Sequence, residues 1–313
     1  MIRNLACFAL LAAITACSFP TQADDTVYLL SFFQNNGRDG LHLAYSLDGK
    51  KWDAIKDNTS LLRPVVGKDK LMRDPSVTRG PDGTFHMVWT VSWNDRVIGY
   101  ANSKDLINWS EQRTIPVMTH EPKCRNTWAP EIFYDARSKR YYIVWSSTIE
   151  GRFTETAGQS ESKYNHRMYV TSTADFVSFA PTKLFHDPGF SCIDGYIAAD
   201  GDRYLLFYKD ETRYPDAKKV ILMAESDRPD GPYKDLRQIS PQTWVEGPSA
   251  LKIDGKWNVY FDCYTRHCYG LSTSKDLVNW TDENVNLKMP PGTRHGRIFR
   301  VERAILDKLL ELK

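Results

Sequence analysis

The sequence predicts an all-β protein that folds as a five-bladed β-propeller, with one blade closed by strands from the two ends of the chain. Three observations favour this fold. Aromatic, β-branched segments of strand length occur five times, a similar turn motif follows each one, and an apolar segment headed by an ionisable residue precedes four of them. The first aromatic segment lacks such a predecessor, and its partner lies near the C-terminus.

The turn motif defines the internal repeat. Each copy contains a Ser or Thr before a short polar turn and ends in an aromatic residue. The copies are Tyr45–Trp52, Ala101–Trp109, Thr171–Phe179, Ala224–Tyr233 and Leu271–Trp280. Because a fixed supersecondary unit that recurs along a chain indicates a repeat architecture, five copies predict five small antiparallel sheets.

An aromatic strand precedes each copy of the motif. These strands begin at Thr26, Thr84, Arg140, Arg203 and Lys256. Asp-Gly turns at 81–83, 200–202 and 254–256 separate the first and second strands of three blades, where tight hairpins favour this dipeptide. A two-sheet sandwich, the alternative all-β fold, does not explain five matched sets of strands.

The chain is expected to divide into three parts. Residues 1–23 are predicted to be an export signal with a linker, residues 24–301 the propeller, and residues 302–313 a short helix with apolar residues at helical spacing. A polar segment, Glu150–Lys163, is predicted to be a loop.

Two cleavage sites compete in the signal. The apolar stretch Leu5–Ile14 is too short to span a bilayer. Cleavage is expected either at a lipobox that ends at Cys17, which leaves a lipid anchor, or after Ala23. Both place the protein outside the cytoplasm, in the bacterial periplasm or on the cell surface. Cleavage at Cys17, the preferred prediction, tethers it to the membrane through lipid alone, whereas cleavage after Ala23 releases it.

Charge and cysteine content exclude several classes of protein. The 41 basic and 39 acidic residues leave no basic field for nucleic acid. No Cys-x-x-Cys spacing suggests a metal or redox site. Cys263 and Cys268 are placed to face each other across a hairpin, either bonded in an oxidising compartment or as free thiols.

The segments that head the innermost strands are predicted to build the functional site. They are expected to occupy equivalent positions in the five blades, and they carry Asp74, Glu131, Asp194, Glu246 and His295. The start of each innermost strand lies at the mouth of a propeller channel, so Asp74, Asp194 and Glu246 should converge there. Crowded carboxylates repel one another, which keeps one protonated while another stays ionised. Glycoside hydrolysis requires such a pair.

Four segments resemble the signature segments of glycoside hydrolase family 43, and the resemblance covers essentially all of the chain after the signal. They are Arg73–Val77, Trp128–Glu131, Cys192–Gly195 and Val245–Pro248. The resemblance implies a five-bladed propeller that hydrolyses oligo- or polysaccharides with inversion. By this resemblance Asp74 is the general base, Asp194 tunes the pKa of the acid, and Glu246 is the general acid.

Other candidates follow from the same comparison or from position in the predicted blades. Thr293–Gly296 resembles the family segment whose His coordinates an axial ion, which makes His295 the candidate ligand for calcium. Taken alone, His295 is more often a hydrogen-bonded core residue. Trp93, Trp128, Glu131 and Arg266 are candidates for sugar binding. For Glu131 the alternatives are that it lines the channel deeper down, holds water near His295 or forms a structural salt bridge.

Two alternatives remain. The invertase and levansucrase group also has five blades but retains configuration, and Arg73–Pro75 resembles its Arg-Asp-Pro motif, although no Asn-Asp-Pro segment occurs upstream. A non-catalytic carbohydrate-binding propeller gains nothing from crowded carboxylates. The preferred prediction is an exported inverting enzyme that removes α-L-arabinofuranosyl groups, and the alternatives within the family are β-xylosidase and exo-β-galactosidase.

Overall fold

The computed structural model describes residues 25–312, which form twenty strands and one α-helix. The predicted signal, with Cys17 and Ala23, lies outside these residues. Within 25–312 no helix has the length and apolar character needed to cross a bilayer.

The strands form five antiparallel sheets of four strands each. Blade 5 contains β1 (Thr26–Phe32), β2 (His42–Ser46) and β3 (Asp53–Ala54), and blade 1 contains β4 (Arg73–Arg79), β5 (Phe85–Thr90), β6 (Ile98–Ser103) and β7 (Arg113–Ile115). Blade 2 contains β8 (Trp128–Asp135), β9 (Arg140–Ser147), β10 (Arg167–Thr173) and β11 (Lys183–His186). Blade 3 contains β12 (Cys192–Asp200), β13 (Arg203–Asp210), β14 (Ile221–Ser226) and β15 (Lys234–Gln238). Blade 4 contains β16 (Glu246–Ile253), β17 (Lys256–Cys263), β18 (Cys268–Ser274) and β19 (Thr281–Asp282), and β20 (Arg297–Glu302) completes blade 5.

The innermost strands of neighbouring blades contact one another in the ring order β4, β8, β12, β16, β20 and back to β4. Strand β20 pairs antiparallel with β1, with Leu30 opposite Ile298. The last strand of the chain therefore completes the blade that the first strand begins. These observations confirm the five-bladed β-propeller predicted from the sequence.

The hydrophobic core consists of five clusters, each between two neighbouring blades. The cluster between blades 1 and 5 includes Trp89 and Phe299, and helix α1 (Arg303–Leu310) adds Leu306 and Leu309 to it. Because both faces of a blade are covered by other blades, strand β5 is buried at every residue. This explains why the second strands read as continuous aromatic and aliphatic runs.

The repeated turn motif connects the third and fourth strands of a blade. In blade 1 the Asp105 carboxylate accepts the backbone N–H groups of Ile107 and Asn108 at 2.9 and 2.7 Å, and the Trp109 indole N–H donates to the Leu106 carbonyl. Equivalent carboxylates are Asp48, Asp175 and Asp276. The motif is therefore a capped turn, which explains its Ser/Thr and Asp residues.

The loop predicted from Glu150 to Lys163 lies between β9 and β10. The 3-10 turns of the described chain are Lys56–Asn58, Thr154–Thr156, Glu161–Lys163 and Asn284–Asn286, and the loop contains two of them. The Gln159 carbonyl accepts the backbone N–H groups of Arg213 and Tyr214 at 2.7 and 3.0 Å. These hydrogen bonds attach the loop of blade 2 to the loop between β13 and β14 of blade 3.

Cys263 and Cys268 are direct partners at the end of the β17–β18 hairpin. Both are free thiols in the structure, and Cys263 is buried whereas Cys268 is exposed. The predicted juxtaposition is present without the bond.

A bulge lies near the start of four innermost strands. In β4 the register shifts between Arg73 and Ser76, so that two residues oppose one on β5, and β8, β12 and β16 shift at the same place. One residue in each bulge has a left-handed backbone: φ is 53° at Asp74, 46° at Ala129, 60° at Asp194 and 58° at Gly247.

The matching registers define equivalent positions on the four bulged strands, and equivalent hydrogen bonds join β8 to β4 and β20 to β16. The Ile132 N–H donates to Ser76 Oγ at 3.1 Å, and the Ile298 N–H donates to Ser249 Oγ at 2.8 Å. The aligned residues form three layers along the channel. The upper layer is Arg73, Trp128, Ile193, Glu246 and Arg294; the middle layer is Asp74, Ala129, Asp194, Gly247 and His295; and the lower layer is Ser76, Glu131, Tyr196, Ser249 and Arg297.

These layers correct the expectation that the five ionisable residues are equivalent. Asp74, Asp194 and His295 share the middle layer, whereas Glu246 lies one layer above and Glu131 one layer below. The difference arises because the bulge adds one residue to each of four strands, and the hydrophobic pattern of the sequence does not show where that residue lies.

An ion pair between Glu131 and Arg297 crosses the channel in the lower layer. Their strands are not neighbours in the ring, since β4 lies between β8 and β20. The Arg297 guanidinium also lies over the Tyr196 ring at 4.7 Å, and both charged side chains are about nine-tenths buried or more. Together they form a floor beneath the upper two layers.

Arg297→Met should lower the free energy of unfolding by about 3–5 kcal/mol, because it leaves the Glu131 carboxylate buried without a counter-charge. Urea denaturation followed by tryptophan fluorescence measures this loss. Arg300→Met, at an exposed position of the same strand, is the control and should change little. The double variant Glu131→Gln/Arg297→Met should recover most of the loss, and a small effect of Arg297→Met alone would contradict the floor assignment.

Candidate active site

A cavity of about 150 Å³ opens at the mouth of the channel, above the floor. Its walls come from the upper and middle layers, from the ends of second strands, and from two tryptophans. The lining residues are Arg73, Asp74, Thr90, Trp93, Trp128, Ala129, Ile193, Asp194, Lys209, Glu211, Glu246 and His295. The carboxylates that the sequence places at the channel mouth therefore line one cavity.

Asp74 lies between a hydroxyl group and an imidazole. The Thr90 hydroxyl donates to Asp74 Oδ2 at 2.8 Å, and His295 Nδ1 lies 3.3 Å from Asp74 Oδ1. Burial alone would raise the pKa of Asp74, but the hydrogen bond and charge of His295, with Arg73 and Thr90, outweigh it and hold this pKa below its ordinary value. Asp74 is an ionised carboxylate at neutral pH.

His295 stands at the centre of the carboxylates. Its Nδ1 lies 4.0 Å from Asp194 Oδ2 as well as close to Asp74. Burial opposes the charged imidazole, but the carboxylates of Asp194, Asp74 and Glu246 prevail and raise the pKa of His295 to about 9. A Cβ atom added at Gly247 would lie 2.3 Å from the imidazole, so glycine at this bulge makes room for the ring.

Asp194 accepts the backbone N–H of Gly247 at Oδ2, at 3.0 Å. Burial raises the pKa of Asp194, and the neighbouring charges of Glu246 and Asp74 add to this effect. The cations His295 and Lys209 oppose it, and the resulting pKa is about 6. Asp194 therefore holds a proton under mildly acidic conditions in which Asp74 has none.

Two cations flank Glu246. Lys209 Nζ donates to Glu246 Oε2 at 3.1 Å, and Arg294 Nη2 donates to Oε1 at 3.2 Å. Arg294 is itself oriented by Asp262, whose Oδ2 accepts from its Nε at 2.7 Å. Burial would raise the pKa of Glu246, but Lys209, His295 and Arg294 outweigh it and lower this pKa.

An aromatic wall completes the cavity. The Trp93 and Trp128 rings meet edge to face at 5.4 Å, and the Trp128 indole N–H donates to the Trp93 carbonyl at 3.0 Å. The Arg73 guanidinium lies over the Trp93 ring at 4.5 Å. Flat apolar surface beside convergent polar groups is typical of a sugar-binding site.

Two predicted sugar-binding residues lie elsewhere. Glu131 belongs to the floor, where it pairs with Arg297. Arg266 lines a separate groove of about 650 Å³ beside the β17–β18 hairpin, where its guanidinium donates to Gln242 Oε1 at 2.8 Å and to the Thr243 carbonyl at 3.1 Å. The structure does not bring Arg266 into the carboxylate cavity.

Several residues of the site were not predicted. Thr90, Lys209 and Asp262 are the partners of Arg73, Ile193 and Glu246 on the adjacent second strands. Each is a polar residue near the end of an otherwise aromatic strand, and that position is a signal the sequence does carry. Glu211 and Arg294 lie just outside strands, where no pattern distinguishes them.

The residues around His295 do not fit the expected calcium ion. Hard cations prefer several oxygen ligands, yet the Asp74 carboxylate is paired with the imidazole and the Glu131 carboxylate with Arg297. Burial lowers the pKa of Arg297 only to about 9, so a guanidinium cation lies in the layer below. Among residues 25–312 no group of three or more His, Cys, Asp or Glu side chains has an arrangement suited to a metal.

The arrangement suits acid and base chemistry on opposite sides of a bound group. Asp74 on β4 is an ionised carboxylate, while Asp194 and Glu246 lie on β12 and β16. Strand β20, with His295 just before it, lies between the strand that carries Asp74 and the strand that carries Glu246. Titratable groups whose surroundings push their pKa values apart are typical of an acid–base pair.

Known proteins share both sequence and fold with this chain. The profile of a family described as "Probable glycosyl hydrolase domain" matches residues 24–307. An α-L-arabinofuranosidase of Bifidobacterium longum subsp. longum is 26% identical over 160 residues, which are 45% of this chain but only 15% of that protein.

Two solved structures resemble the propeller. An α-L-arabinofuranosidase from Lactobacillus brevis has a TM-score of 0.54 at 17% identity, covering 68% of this chain and 72% of that one. A thermostable family-43 glycoside hydrolase has a TM-score of 0.56 at 18% identity, covering 72% of this chain and 78% of that one. At these identities the likeness shows a common fold. Because the family profile spans the whole propeller and its carboxylate cavity, the chain belongs to this glycosyl hydrolase family, which is related to glycoside hydrolase family 43.

Proposed function

We propose that the protein is an exported, inverting glycoside hydrolase that removes terminal α-L-arabinofuranosyl groups from a polysaccharide. One observation carries this proposal. Carboxylates from three blades line one small cavity around a cationic imidazole, and their surroundings push their pKa values in different directions.

Asp74 is the general base. Its carboxylate stays ionised through His295 and Thr90, and it faces the cavity from the strand opposite the proposed acid. In an inverting reaction such a base takes a proton from the water that attacks the anomeric carbon. His295 is a positioning residue for Asp74, since its imidazolium fixes one carboxylate oxygen and leaves the Thr90 hydroxyl to fix the other.

Glu246 is the general acid, and Asp194 supplies the conditions under which it holds a proton. Each of these carboxylates raises the pKa of the other. The proton that they retain to the highest pH is therefore shared by the pair rather than held by one member. A sugar that enters the cavity displaces water, which favours the neutral form of Glu246. The acid then protonates the leaving oxygen.

The closed floor supports action on terminal sugars. The Glu131–Arg297 pair crosses the channel, so a ligand enters from one side alone. A cavity of about 150 Å³ is smaller than the ~300–1,000 Å³ typical of sites for larger ligands. It suits a single sugar ring better than a chain. The name of the Bifidobacterium relative supports arabinofuranose as that sugar.

The N-terminal segment supports export. Residues 1–23 carry an apolar stretch of signal-peptide length and a lipobox ending at Cys17. The proposed site of action is therefore the periplasm or the cell surface, with a lipid anchor at Cys17. Fractionation of the producing cell tests this, and recovery in the cytoplasm would contradict it.

Proton NMR of the anomeric region tests the function directly. The protein should release arabinose of inverted configuration from nitrophenyl α-L-arabinofuranoside. The matching xyloside and galactoside are the controls for sugar specificity. A first product of retained configuration would contradict the mechanism, and release from the xyloside alone would contradict the sugar.

Glu246→Gln should slow hydrolysis of substrates with poor leaving groups by at least about 10²-fold, because a positioned general acid contributes this much or more. Steady-state kinetics with alkyl and nitrophenyl glycosides measure the loss, which should be smaller for the nitrophenyl compound. Glu111→Gln, at an exposed position, is the control. Equal activity of wild type and Glu246→Gln on the alkyl glycoside would exclude Glu246 as the acid.

The pH dependence of kcat/KM should fall on both sides of a mildly acidic optimum. Above pH about 6 the Asp194–Glu246 pair loses its proton, and at low pH Asp74 becomes protonated. Asp194→Asn removes the negative charge that helps Glu246 retain its proton, so the descending limb should move to lower pH. An unchanged limb in this variant would show that Asp194 does not tune the acid.

A further inference from the structure

A row of alternating charges extends from Glu246 to the loop of blade 2. Lys209 Nζ lies 3.1 Å from Glu246 Oε2 and 2.8 Å from Glu211 Oε2. Lys219 Nζ lies 2.7 Å from Glu211 Oε1 and 3.5 Å from Glu161 Oε2. Glu161 belongs to the 3-10 turn of the Glu150–Lys163 loop, and Arg213 Nε lies 3.5 Å from its other oxygen.

Both lysines of this row are buried. The side chain of Lys209 is 2% exposed and that of Lys219 is 0% exposed. A buried ammonium is costly unless charges and hydrogen bonds compensate it, and the row supplies each lysine with two carboxylates. The Lys209 ammonium also lies 4.7 Å from the centre of the Tyr264 ring, which adds a cation–π contact.

Glu211 gives the Lys209 ammonium a second counter-ion. If Lys209 had Glu246 as its only counter-ion, protonation of Glu246 would leave a buried ammonium unpaired, and the acid would be held as a carboxylate. Because Glu211 stays beside Lys209, the ammonium keeps a partner in both protonation states. Lys219 in turn compensates Glu211, so that Glu211 does not draw Lys209 away.

We propose that Lys209 is a positioning residue for the acid, and that Glu211 and Lys219 hold its ammonium shared between two carboxylates so that Glu246 can gain and lose a proton within a buried site. The Glu150–Lys163 loop thereby becomes part of the surroundings of the acid, through Glu161. This inference rests on the proposed function, which assigns Glu246 as the acid.

Other charged groups also lie near Glu246 and contribute to its pKa in every variant. Asp194 comes from β12 and Asp262 from β17, while Asp74 of β4 lines the same cavity. From the segment before β20 come Arg294 and His295. None of these residues contacts Lys219 or Glu161, so substitutions at the far end of the row leave these groups in place.

The test is a pH titration of glutamate side chains by carbon-13 NMR, in the full-length protein labelled at the glutamate carboxyl carbons and without substrate. The Glu246 signal is the one absent from Glu246→Gln. Lys209→Met should raise the titration midpoint of Glu246 by about 1–3 pH units, the range for loss of an adjacent opposite charge. Lys209→Arg should restore most of it.

Glu211→Gln should shift the same midpoint in the opposite direction, because Lys209 then has Glu246 as its main counter-ion. Lys219→Met should raise the midpoint by less than Lys209→Met does, since Glu211 then draws Lys209 towards itself. If Lys219→Met does not fold, Lys219→Met/Glu211→Gln removes both charges together and should lower the midpoint. The control is Lys218→Met, which removes a positive charge from the exposed neighbouring position and should cause no shift.

Opposite shifts in Lys209→Met and Glu211→Gln support the proposal. A Glu246 midpoint that is the same in wild type and both variants overturns it, as do shifts of the same sign. The activity of Glu246→Gln distinguishes a failure of the proposed function from a failure of the role proposed for the row of charges. If that variant hydrolyses poor leaving groups normally, the proposed function fails whatever the titration shows; if it is inactive and the midpoints do not move, only the row of charges loses its role.

Discussion

The convergence of five strands on a narrow axis is the constraint from which the rest of the structure follows. In the middle and lower layers of the channel, small residues lie beside large ones and charged groups are paired. The middle layer combines two carboxylates and an imidazole with Ala129 and Gly247. The imidazole of His295 packs against Gly247, where a side chain would leave no room for it. The lower layer combines an ion pair with a tyrosine and two serines. A site of this kind is therefore a consequence of packing as much as of chemistry.

The charges buried in the channel also decide which groups hold protons. Asp74 and Asp194 occupy equivalent positions, yet the hydroxyl and imidazole beside Asp74 hold it ionised, whereas Asp194 has two other carboxylates as neighbours. Glu246 sits one layer higher, between Lys209 and Arg294. Identical side chains thus differ in pKa because each lies on a different strand and has different neighbours.

The sequence predicts the fold well because the fold repeats. The capped turn containing Asp105 and its equivalents, and the buried second strands, recur in a pattern that tolerates insertions. The sequence also brings Asp74, Asp194, Glu246 and the two tryptophans to the channel mouth. It does not predict the layers, because a bulge shifts the register without changing the hydrophobic pattern. Lys209 and Glu211 were missed because a lysine at the end of an apolar strand and a glutamate in a loop are ordinary features until their contacts are known.

The closure of blade 5 depends on the last strand of the chain to be translated. Strand β20 pairs with β1 across nearly the whole length of the chain, and such non-local pairing is slow to form. The segment before β20 carries His295 and also Arg294, which binds Glu246. Arg297, the first residue of β20, completes the floor. These residues are translated after every other strand of the propeller. A nascent chain, or one cut before this segment, has Asp74 and Glu246 but neither the imidazole between them nor the closed ring that holds them, so the cavity is completed by the last strand to be translated.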